Sequence, residues 1–176
     1  MRWDELFAEL EAEIDGLESG VLEDESYELA VAEAGTVGLA DRIRAVWGAT
    51  ITLGLTSGMR HEGAVVDLGA DWVLIESGRA QTLVPVRAIA WIAGLGRAAP
   101  SPGTVERELR LTHALRALAQ AEEPVRIAVP NRELVGVIVH VGADHLVVDL
   151  APGMGERQGG AAGLVIPLAS LLAVTQ

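Results

Sequence analysis

Two stretches of this chain carry one pattern. Gly63-Ala64-Val65-Val66-Asp67-Leu68-Gly69-Ala70-Asp71-Trp72-Val73-Leu74-Ile75-Glu76 lies 73 positions before Gly136-Val137-Ile138-Val139-His140-Val141-Gly142-Ala143-Asp144-His145-Leu146-Val147-Val148-Asp149. Gly-Ala-Asp is identical in both, the leading Gly matches, and the apolar positions match nearly throughout. Self-similarity at fixed spacing means one unit built twice, which narrows the architecture more than any single residue can.

The match extends in both directions. Upstream, Ile51, Leu53 and Leu55 alternate with Thr and Gly, as Val125, Ile127 and Val129 alternate with Arg and Ala. A period of two marks a strand with one buried face. Downstream, Leu83-Val84-Pro85-Val86 pairs with Val165-Ile166-Pro167-Leu168 at a spacing of 82, so the second copy holds nine more residues. They fall in the glycine-rich run from Pro152 to Gly160, which reads as a loop. A helix precedes each copy. Leu39, Ile43, Val46 and Trp47 make one apolar face, and Leu111, Leu115 and Leu118 make the other.

One unit is therefore a helix followed by five short strands. They are expected at 50–56, 60–68, 71–77, 80–85 and 88–93, and again at 124–129, 133–141, 144–150, 162–167 and 170–174. Thr56-Ser57-Gly58, Gly69-Ala70-Asp71, Ser77-Gly78 and Pro130-Asn131 are the separating turns. Five short strands with an apolar inner face close most simply into a small barrel, which hides strand edges. The expected organisation is an acidic helical arm at 1–35, a helix-plus-barrel unit at 36–95, a linker at 96–103 with Pro100 and Pro102, and a second unit at 104–176.

A helix, five strands, a Gly-containing second strand and an apolar-Pro-apolar strand ending together resemble the Sm-like fold. The resemblance covers about 39–94 and 110–176. It implies a mainly β protein of two tandem Sm-like five-stranded barrels, each preceded by an α-helix, behind an N-terminal amphipathic helix. It also implies assembly edge to edge. The family's RNA-binding signature, an Asp-x-Asn loop after strand two and Arg-Gly after strand four, is replaced here by Leu68-Gly69-Ala70-Asp71 and Pro85-Val86. The whole chain is also similar to a group of actinobacterial proteins that open with Arg-Trp-x-x-Leu-Phe-x-x-Leu-Glu, seen here from Arg2 to Glu11. That second resemblance implies no activity.

Charge is unevenly placed. Residues 1–41 hold 13 acids and one base, whereas residues 42–176 hold 12 acids and 12 arginines. An acidic arm repels phosphate backbones. Within it Trp3, Leu6, Phe7, Leu10, Ile14 and Leu17 follow spacings of three and four, an apolar seam that needs covering. The seam either covers the chain's own barrels, pairs with a second copy or docks on another protein, and Trp3, Leu6, Phe7, Leu10 and Ile14 are the candidate partner-binding residues in the last two cases. The alternative is RNA, met by Arg60, Trp72, Arg79 and Arg87 if the Trp ring is exposed for stacking.

Catalytic signatures are missing from the sequence. There is no cysteine and no lysine, so disulfides, thiolate chemistry, Schiff bases and the P-loop lysine are excluded. No Gly-x-Ser-x-Gly elbow occurs. His140 and His145 flank a turn with Asp144, but their counterparts in the first copy are Asp67 and Trp72, so no ligand set is repeated. Asp71 and Asp144 follow Gly-Ala at a turn, where Asp commonly bonds the local backbone. No cofactor and no metal are expected. No apolar run is long enough to span a membrane, and the start Met1-Arg2-Trp3-Asp4-Glu5 does not read as a secretory signal. The expectation is a cytoplasmic, non-catalytic interaction or scaffold protein.

Overall fold

The computed structural model describes residues 38–96, 109–151 and 163–176. Leu39–Gln176 form one compact unit. The candidate residues of the arm, Trp3 to Ile14, lie outside the described residues.

The order of elements repeats. Helix α1 (Leu39–Arg44) leads into β1 (Thr50–Leu55), β2 (Arg60–Leu68), β3 (Trp72–Ser77), β4 (Ala80–Pro85) and β5 (Ile89–Ala93). Helix α2 (Leu111–Ala121) leads into β6 (Val125–Val129), β7 (Arg132–Val141), β8 (His145–Leu150), β9 (Leu164–Pro167) and β10 (Ala173–Thr175). A single 3₁₀ turn precedes the last strand of each set, at Val86–Ala88 and at Leu168–Ser170. The second of these turns displaces β10 from the expected start at residue 170.

All ten strands form one antiparallel sheet in the order β5-β1-β2-β3-β4-β10-β6-β7-β8-β9. Each half runs fifth, first, second, third, fourth. The expected closure of each half into its own barrel is not the pairing observed. β4 instead bonds to β10, and the sheet stays open at β5 and β9.

Matched residues pair in matched registers. Ile51 faces Gly63 as Val125 faces Gly136. Val65 faces Ile75 as Ile138 faces Val148. Both second strands then shift register at one place, between Val65 and Asp67 and between Ile138 and His140. A bulge bends and twists its strand, so β2 and β7 curve alike.

The alternation read from sequence becomes burial. Ile51, Leu53, Val65 and Ile75 are buried in the first half, and Val125, Ile127, Ile138 and Val148 in the second. α2 inserts Leu111 and Leu115 beneath the second half, while the shorter α1 inserts Ile43 beneath the first. Trp47 was expected on that apolar face but is exposed, because α1 ends at Arg44 before the periodicity reaches it. Asn131 takes a left-handed conformation (φ 60°) in the tight β6–β7 turn, a strain that Asn tolerates well.

Two apolar cores result, and each borrows from the other half. Trp72 and Leu83 belong to the core around Leu115 and Ile138. Ala128, Leu172 and Ala173 belong to the core around Ile43 and Val65. The halves are therefore cross-braced.

The repeated leading glycine has a steric cause. A Cβ on Gly63 would collide with the carbonyl oxygen of Glu76, and one on Gly136 with that of Asp149. Both obstacles are backbone and cannot swing away. Gly63→Ala and Gly136→Ala should each lower stability by about 1–3 kcal/mol, the usual cost of forced overpacking. Urea unfolding midpoints would check this, and an unchanged midpoint at either site would contradict the close approach.

Candidate interaction surfaces

Among the described residues the sheet contains one internal joint and two ends, β5 and β9, that pair with no further strand. At the joint, Val174 pairs with Leu83 and Thr175 with Thr82. The Thr82 and Thr175 hydroxyls lie 3.1 Å apart, and Gln81 and Gln176 exchange both backbone hydrogen bonds, at 3.1 and 3.0 Å.

A second element of the joint is the Gly69–Trp72 turn, which holds the start of α2. Leu109 O accepts from Ala70 N at 3.1 Å and from Trp72 Nε1 at 2.9 Å. Asp71 Oδ1 accepts from Leu111 N at 2.6 Å. No capping side chain is available from Arg110 at the N-cap, so a carboxylate from the other half satisfies this helix-end amide. The expected local backbone bond of Asp71 is replaced by this contact 40 residues away.

The counterparts of these residues stand unsheltered. Leu83 is 3% exposed at the joint, whereas Val165, 82 positions on, is 58% exposed on β9. Ala173 is 1% exposed, whereas Trp91 on β5 is 46% exposed. Leu164 is exposed where Thr82 is buried, and Leu39 where Leu111 is buried. The turn Gly142–His145 matches Gly69–Trp72, and Asp71 and Asp144 are both exposed on these turns. Asp144 bonds His145 Nδ1 at 2.9 Å, and that bond holds its carboxyl below the usual carboxylate range.

The residues proposed for RNA contact are scattered. Arg60 opens β2, Arg79 sits in the β3–β4 turn and Arg87 in the 3₁₀ turn before β5. Trp72 is buried with its indole nitrogen engaged, so its ring offers no stacking face. It became core because the second half packs on it, which sequence alignment within one chain could not reveal. Trp91 is the exposed ring. It lies over Gly54, which has no side chain to displace it, and the Arg60 guanidinium carbon stands 5.3 Å from the ring centroid. Such a contact contributes about 0.5–1 kcal/mol at an exposed site.

Acid/base chemistry finds little support in the geometry. Asp67 accepts from Leu68 N at 2.8 Å, and Glu76 accepts from Gln81 Nε2 at 2.8 Å. Among the described residues no three His, Asp or Glu side chains gather as a metal-ligand set. A groove of about 530 Å³ runs between α2 and the β3–β4–β10 face, walled by Trp72, Leu74, Leu83, Ala114, Leu118 and Val174. Its polar lining residues Asp67, Gln81, His113 and Gln176 already bond to Leu68 N, Glu76, Arg110 N and Glu123.

His61 is a separate feature. It is half-buried on β2, its Nε2 has no hydrogen-bond partner, and burial lowers its pKa below 6.5 against an opposing pull from Glu133. A folded-state pKa below the unfolded value means the unfolded chain binds the proton first. Stability should then be full above pH 6.5 and fall as the pH drops below it. Melting temperatures of wild type and His61→Gln across that range would check it, with the variant losing this part of the slope. Identical slopes would contradict it.

No protein-family profile, curated protein or solved structure matches this chain.

Proposed function

We propose that this chain is a non-catalytic interaction protein whose two halves are tandem Sm-like units and whose binding surfaces are the two ends of its sheet. The strand order of each half, fifth-first-second-third-fourth, supports the Sm-like reading. The bulge shared by β2 and β7 supports a duplicated unit. The observation that carries the function is the pair of edges with which no other strand pairs among the described residues. Natural proteins blunt an edge strand with charge, bulges or a covering element, because its free amides and carbonyls recruit other strands. β5 (Ile89–Ala93) and β9 (Leu164–Pro167) hold no charged residue, and Trp91, Leu164 and Val165 are exposed on them.

Affinity capture with tagged wild type and with Val165→Glu tests this reading. An interaction protein retains a partner, its own chain or another, that the edge variant loses. Equal capture by both, or none by either, would remove the proposal.

A second reading, an RNA-associated Sm-like regulator, is favoured by the exposed Trp91 ring with Arg60 against it, a stacking surface with a cation beside it. RNA filter binding at two salt concentrations decides it. Binding that weakens with salt and with Trp91→Ala would support it, and no retention at low salt would end it.

A further inference from the structure

We infer that His140 and His145 form a binding site for one divalent transition-metal ion of the zinc class, with Asp144 orienting the second imidazole. The site is independent of the sheet-edge reading above.

The backbone brings the two rings together. Strict alternation along β7 would put His140 on the same side as buried Ile138. The bulge breaks that alternation. Register shifts between Ile138 and His140, so Val139 and His140 are both exposed while Val141 is buried. A bulge re-aims the side chains beyond it. His140 pairs with Val147, and His145 lies two residues before Val147 on β8, so the histidines are diagonal neighbours. Their ring centroids are 6.1 Å apart. Two imidazoles bound to one ion through bonds of about 2.0–2.1 Å have centroids about 5–6 Å apart. A small rotation of the exposed His140 side chain closes the pair on one ion.

His145 is held ready for this role. Its ring lies against Gly142, where a Cβ would stand 2.5 Å from the ring Cε1. The turn backbone is fixed by Gly142 N donating to His145 O at 2.8 Å and by Leu168 N donating to Asp144 O at 2.7 Å. Asp144 Oδ1 lies 2.9 Å from His145 Nδ1. An ionised carboxylate only accepts, so Nδ1 carries the proton, and the neutral ring keeps its lone pair on Nε2. A carboxylate on the far nitrogen of a ligating imidazole fixes the ring's orientation and raises its basicity. Imidazole suits zinc, copper and nickel. Two nitrogens fill half of a tetrahedral shell, and water takes the remaining positions.

The first copy shows the same turn without histidine. Gly69 N donates to Trp72 O at 3.0 Å and Val86 N to Asp71 O at 2.9 Å, the same two backbone bonds. The Trp72 ring lies against Gly69 as His145 lies against Gly142. There the acid and the indole both hold the start of α2. In the second copy the acid bonds the imidazole instead, and His140 stands where the first copy has Asp67. The frame is shared, and a ligand pair replaces the helix clasp.

Calorimetric titration of the full chain with zinc chloride at about pH 8, above the ordinary imidazole range, tests the inference. Wild type should show a site that His140→Ala and His145→Ala each remove. These side chains lie at the surface, so the fold is kept, verified by an unchanged circular dichroism spectrum. Asp144→Ala should keep the site with affinity lowered about 10–100-fold. In nitrogen NMR of the histidine rings, zinc should shift His145 Nε2 and leave Nδ1 protonated. No uptake of zinc by wild type would overturn the inference. So would unchanged binding in either histidine variant, which places the ion elsewhere. Unchanged affinity in Asp144→Ala, or zinc on Nδ1 instead of Nε2, would overturn the orienting role of the carboxylate.

Discussion

Trp72→Ala should destabilise the folded unit by about 3–5 kcal/mol, the range for truncating a buried aromatic. Trp72 sits on β3 of the first half, but its ring is part of the second half's core, and its Nε1 bonds Leu109 O at the start of α2. The loss is therefore felt in both halves, and both should still unfold in a single transition. Leu109 O keeps its bond from Ala70 N, so the carbonyl is not orphaned. Trp72→Phe retains most of the apolar area and loses only the indole donor. It should cost about 1 kcal/mol, the net value of one hydrogen bond. Urea unfolding of the three proteins measures this. Equal costs for Ala and Phe would place the energy in the hydrogen bond, contrary to the packing.

Leu83→Glu and Val165→Glu should differ sharply although they change matched residues. Leu83 is buried at the joint beside Val174. Replacing it forfeits about 2–5 kcal/mol of packing and cavity terms. The new carboxylate must also stay charged without a partner or take up a proton, and either adds cost. Loss of the folded state at neutral pH is the expected result. Val165 is exposed in the single chain, and a surface change there should cost within about 0.5 kcal/mol. Comparable destabilisation by both substitutions, measured in dilute protein, would mean that β9 is covered within the chain itself.

Much of the fold was legible because period-two burial and turn chemistry are local. The strands around Ile51, Val65, Val125 and Ile138 fall where alternation placed them, and Gly58 and Gly78 take positive φ at the expected turns. The first helix was overread at Trp47, because two further apolar residues at helical spacing, Val46 and Trp47, do not reveal where a helix stops. The final strand was misplaced because a 3₁₀ turn and a strand both bury Leu171 and Leu172. Whether each half closed on itself or joined its neighbour was not legible. That choice depends on which edge meets which, a long-range property that leaves no periodicity behind.

The candidate surfaces divide in the same way. Trp72 and Trp91 both read as aromatic residues on strands, and only the packing of the second half separates a core ring from an exposed one. Val165 and Leu164 carried no warning, since an apolar strand residue ordinarily means core. Comparing matched positions would have flagged them only once the strand order was known.

The most direct measurement uses the absence of cysteine from the chain. Thr82 and Thr175 face each other across the internal joint, a geometry that suits a disulfide. Thr82→Cys/Thr175→Cys, oxidised and run on a non-reducing gel, should close a disulfide within one chain of 18.5 kDa. If the two cysteines stay reduced, or link only between chains, β4 and β10 do not pair within the chain and the single continuous sheet is contradicted.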